Sequence, residues 1–107
     1  MTAEISAVSL EYVLVPVAAR ASGADVDPTG DTVTMAFMLG DAAPVDGDMK
    51  TASWETDATT TPPTYFARCL VGPSGAVELK PGRYTVWVKI TDSPEVLLRP
   101  AGPLKVR

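Results

Sequence analysis

Apolar and polar residues alternate cleanly over residues 31–39: Val33, Met35, Phe37 and Leu39 fall on one side, Thr32, Thr34 and Ala36 on the other. That period of two predicts a half-buried β-strand. The same period runs through residues 83–90, with Tyr84, Val86, Val88 and Ile90 on one face and Arg83, Thr85, Trp87 and Lys89 on the other. Residues 4–17 read as one or two strands, with Pro16 marking an edge or a break. Residues 49–55 around Trp54 and residues 65–71 read as further strands, and residues 76–79 as a continuation of that meander. A last strand is expected over 95–99 and 103–106, broken at Pro100–Pro103. Residues 18–30 read as a loop ending in the turn Asp27-Pro28-Thr29-Gly30. Residues 40–48 and 56–64 also read as loops, and Gly72-Pro73-Ser74-Gly75 as a tight connection. No dozen-residue stretch repeats apolar positions at helical spacing, and prolines interrupt most windows.

The expectation is one all-β domain over residues 1–107, an immunoglobulin-like antiparallel β-sandwich of seven to nine short strands. With 107 residues the chain is one domain's worth and long enough to bury a core without staples. Ten prolines and eight glycines, spread along the chain, suit many short strands joined by many turns.

Charge adds a direction. The net charge is −4, but residues 21–60 hold eight acids against one base, whereas residues 61–107 hold seven bases against three acids. Such asymmetry is either scattered solvated charge or a means of setting one copy head to tail against the next. No basic cluster is dense enough for nucleic acid, and no segment reaches the length of a membrane span. Glu4 and Glu11 sit where a signal peptide needs basic residues, so the N-terminus does not read as one. Cytoplasmic synthesis, with retention there or export inside a larger particle, is the expectation.

Candidate chemistry is sparse. The chain has no histidine, which excludes the usual serine and cysteine triads. No glycine-rich phosphate loop occurs. Cys69 is the single cysteine, so it has no internal disulfide partner and builds no zinc site by itself; it reads as a small buried strand residue. Asp41, Asp46 and Asp48 share a loop, but their spacing does not match an EF-hand, and they read as polar loop residues. We expect no enzyme activity, no cofactor and no metal.

Leu79-Lys80-Pro81-Gly82-Arg83-Tyr84 resembles the corner before the penultimate strand of immunoglobulin-like domains. The resemblance implies that Tyr84 sends its hydroxyl back to upstream backbone, with Pro81 and Gly82 shaping the turn. It also implies a core-facing tryptophan on an earlier strand, a role for which Trp54 is the candidate. The order of parts from Asp27-Pro28-Thr29-Gly30 through Pro81–Val88 to Thr91-Asp92-Ser93-Pro94-Glu95 and Ala101–Val106 resembles small β-sandwich proteins of tailed-bacteriophage virions. These serve as capsid decoration, head–tail or baseplate modules. That resemblance implies a non-enzymatic virion protein whose partners are other virion proteins and copies of itself. The alternative is a stand-alone binding module, such as a carbohydrate-binding sandwich taking a cell-surface sugar.

The expected interface residues follow from edge strands. Val13 and Val15 near one edge, and Val96 and Leu98 near the other, are apolar, with Arg99, Lys105 and Arg107 supplying charge. Trp87 faces away from Tyr84, Val86 and Val88. It lies either beneath the N-terminal segment or the stems of Arg83 and Lys89, or in a partner's pocket, or under a sugar ring.

Overall fold

The computed structural model describes the chain except residues 1, 2, 18, 22, 23, 27, 41, 62, 76, 93 and 94. Its strands are β1 (Ala3–Ile5), β2 (Glu11–Val17), β3 (Ala19–Ala21), β4 (Ala24–Val26), β5 (Thr32–Leu39), β6 (Lys50–Thr51), β7 (Ser53–Asp57), β8 (Thr64–Val71), β9 (Gly82–Asp92) and β10 (Glu95–Val106). Five of them form one sheet in the order β1-β10-β9-β5-β6, and three form a second in the order β2-β8-β7. All pairings within these two sheets are antiparallel except that of β1 with β10. The chain is an all-β sandwich. Its main strands, β2, β5, β7, β8, β9 and β10, follow the immunoglobulin-like order, three in one layer and three in the other.

The core is what the alternation demands. Val33 and Met35 from β5, Val86 and Val88 from β9, and Leu104 and Val106 from β10 face Val13 of β2 and Ala67, Cys69 and Val71 of β8. Met35, Ala67, Cys69 and Leu104 are almost fully covered. Burying side chains of this kind stabilises the domain by roughly 1.5–3 kcal/mol for each large one. Val13, expected at an interface, belongs to this core: β2 turns it inward while its neighbours Tyr12 and Leu14 are exposed.

Three expected segments differ. The loop expected over residues 18–30 contains the hairpin β3–β4, which pairs Ala19 with Val26 and Ala21 with Ala24 and joins neither main sheet. Its alternation is hidden because its three alanines carry little hydrophobic signal. The last strand is not broken at Pro100–Pro103. β10 runs through both prolines, with a bulge between Pro100 and Gly102 and Gly102 at φ +146°. A bulge on a strand with a free edge absorbs a residue lacking an N–H. Of the stretch expected over 76–79, residue 76 lies outside the described residues and residues 77–79 form no strand; Val77 makes an isolated parallel bridge to Val71.

Candidate functional site

Tyr84 opens the buried run of β9 and is 8% exposed; its hydroxyl donates to the Lys80 carbonyl at 2.8 Å. That bond ties the strand start to the turn through Pro81 and Gly82, and it has the geometry of a tyrosine corner. Trp54 stands half-buried on β7, in the smaller sheet, and its indole N–H donates to the Asp31 carbonyl at 2.9 Å. It therefore stitches the smaller sheet to the entrance of β5. The central position of β5 that faces the core is filled by Met35.

Trp87 lies on the outer face of the larger sheet, beside Ala36 on β5 and Pro100 on β10. Ala36 is fully covered although it also faces outward. The segment after β5 returns to this face. Thr85 Oγ1 donates to the Gly40 carbonyl at 2.6 Å, and Lys89 Nζ meets Asp46 Oδ1 at 3.2 Å. Pro44 between those ties is buried, and Asp48 Oδ2 accepts the Val45 N–H at 3.0 Å. Gly40 and residues 42–48 thus form a strap on the outer face, tied to β9 on both sides of Trp87. Trp87 is half-buried, and its indole N–H is buried without a hydrogen-bond partner among the described residues. Gly40, Pro44 and Gly47 mark the loop in the sequence but not that it folds back onto the sheet. Sequence reasoning missed the strap for that reason.

The open surfaces lie elsewhere. β10 meets β1 only through Leu104–Val106, which leaves the outer edge of its first half without a partner strand among the described residues. On this stretch Val96 is 53%, Leu97 46% and Leu98 41% exposed, three consecutive apolar residues at a bare edge. β2 is likewise the edge of the smaller sheet. Between the two edges the sandwich gapes into a groove of about 430 Å³ lined by Val15, Val17, Ile90, Leu97 and Arg99, with the buried Val88 at its floor. In constant-type immunoglobulin domains an additional strand pairs beside the second strand of the chain. Here the first strand lies on β10 instead, so the gap stays open.

The basic residues part company. Arg99 lines the groove and is exposed. Lys105 is exposed on the outer face opposite Arg83. Arg107 is engaged within the chain, its Nε on Glu4 Oε1 at 2.6 Å, so it clamps β1 to β10. On the outer face of the smaller sheet, Arg68 covers Tyr12 at 4.6 Å from the ring centre and reaches Ser53 and Glu55. Among the described residues Tyr12 is the one aromatic left largely exposed, and no flat aromatic row is presented to a sugar. Cys69 is buried and its thiol is pushed up by desolvation. Among the described residues no three acids, cysteines or histidines gather as a metal site. No described helix is long and apolar enough to cross a membrane.

Searches with family models, against curated proteins and against solved structures find no match to this chain.

Proposed function

We propose that this chain is a non-enzymatic assembly module that docks onto other proteins, copies of itself included, through the edges of its sandwich. The open first half of β10 carries the reading. A lone domain must protect such an edge, because its unpaired backbone groups recruit strands from other chains. Here three exposed apolar residues occupy it, and the groove to β2 lies alongside. Both features suit strand addition or edge-to-edge docking.

The virion of a tailed bacteriophage is the setting to which the turn motifs point, with the chain as a capsid-decoration, head–tail or baseplate part. Of the three basic residues expected at the interface, Arg99 and Lys105 have no ion-pair partner among the described residues and are available for steering against an acidic neighbour. Reversal of Arg107 is a different perturbation, since it breaks the clamp to Glu4. The test is to sediment particles from cells that make the protein. We expect the chain at a fixed copy number in a multi-protein particle, with incorporation weakened by Arg99→Glu plus Lys105→Glu. Recovery only as free chain, under salt conditions that preserve the particles, overturns the proposal.

A further inference from the structure

At the open stretch of β10 the sequence Pro94-Glu95-Val96-Leu97-Leu98-Arg99-Pro100 is self-complementary when read antiparallel about Leu97. An acid meets a base at each end, apolar residues meet apolar residues between them, and a proline closes each side. The backbone has the matching parity. Gly40 N–H donates to the Arg83 carbonyl, so Arg83 and every second residue of β9 after it aim at β5. The intervening residues, Val88, Ile90 and Asp92, therefore aim at β10, where their registered partners are Arg99, Leu97 and Glu95. By alternation, Val96 and Leu98 turn their N–H and C=O groups to the empty side.

We infer that β10 pairs antiparallel with β10 of a second copy, with Leu97 on the two-fold axis. This deepens the assembly reading and rests on it. In that register Val96 lies opposite the partner's Leu98, and Leu98 opposite its Val96. Both pairs are of the doubly hydrogen-bonded kind, so four backbone bonds form and satisfy all four free groups of each copy's two residues. Leu97 meets its own counterpart as the close, non-bonded pair. Leu97 and Arg99 share the face toward the groove, so the second Leu97 arrives at its apolar mouth. Position 95, an acid, falls opposite Arg99 of the other copy, twice by symmetry. Shifting the register by two residues forfeits both charge pairs and places one of the two N–H-less prolines opposite a bonding position. The interface is isologous and closes on itself, so it gives a dimer and not a fibre.

Two measurements test this on the full chain. Single cysteines at 96, 97 and 98 are oxidised under mild conditions, with native Cys69 left buried in the core as an internal control. Leu97→Cys is expected to give a disulfide-linked dimer, because only that residue faces itself across the axis; cross-linking that is equal at all three positions overturns the register. In parallel, sedimentation equilibrium compares the unaltered chain, Arg99→Glu, and Glu95→Arg with Arg99→Glu. The single reversal sets acids opposite acids and should weaken the dimer by about tenfold or more, and the double swap should restore it. A swap that fails to rescue a folded protein, or an unaltered chain that stays single at about 100 μM, overturns the inference. A single chain in solution that is nonetheless found within multi-protein particles overturns self-pairing and leaves the assembly reading standing. A dimer that never enters a particle does the reverse.

Discussion

Removing one oxygen atom from Tyr84 isolates the contribution of the corner. The ring is almost fully covered, so Tyr84→Phe keeps the packing and deletes only the 2.8 Å bond to the Lys80 carbonyl. Lys80 itself is exposed, so water can reach part of the abandoned carbonyl and the loss falls short of a full desolvation penalty. A net cost of about 1–1.5 kcal/mol follows. Unfolding entropy near 60 °C is about 2.1 cal/mol/K per residue, hence roughly 0.22 kcal/mol/K for this 107-residue chain. The variant should therefore melt about 4–7 °C lower. Calorimetry or circular dichroism reads this directly, with Tyr12→Phe as control. Tyr12 is 49% exposed and its substitution should move stability by less than about 0.5 kcal/mol. If the two variants melt together, the hydroxyl does not pin the crossover and the corner reasoning fails.

Other sites give independent checks. Gly72 has φ +135°, and a Cβ there would collide with the Ser9 carbonyl, so Gly72→Ala should cost more than about 2 kcal/mol in urea unfolding; a neutral result would refute the close approach. Trp54→Phe removes the indole bond to Asp31 and should lower stability by about 1 kcal/mol or somewhat more, with little effect on far-ultraviolet dichroism. Asp46→Asn breaks an ion pair whose acid is 97% exposed, so any stability change should stay below about 1 kcal/mol even though the strap loses one tie. Burial raises the Cys69 thiol, so the folded chain holds that proton longer than the unfolded chain; the stabilisation is intact below the ordinary thiol range near 8.5 and declines as pH rises through and above it. Alkylation at pH 8 should accordingly be slow until denaturant is added, and Cys69→Ala should flatten the alkaline decline.

Alternation along the chain is enough to say which segments could be strands. Residues 33, 35 and 37, and again 84, 86, 88 and 90, had to share a face because side chains alternate across a strand. The Leu79–Tyr84 turn was legible for a similar reason, since proline, glycine and tyrosine at that spacing restrict the local chain. Which neighbour each strand meets is a different kind of information. Nothing local distinguishes Val13, turned into the core, from Leu14, left exposed one residue later, because only the position of β8 and the opposing sheet selects the inward face. The same holds for Pro100, which reads as a break until the bulge beside β9 lets β10 continue, and for the outer face around Trp87, to which a segment about 40 residues earlier in the chain is tied. The open edge belongs to this second class as well. Its residues are plain in the sequence, but that they are uncovered follows from β1 pairing with β10 only at its end, a long-range contact that no pattern of neighbouring residues encodes.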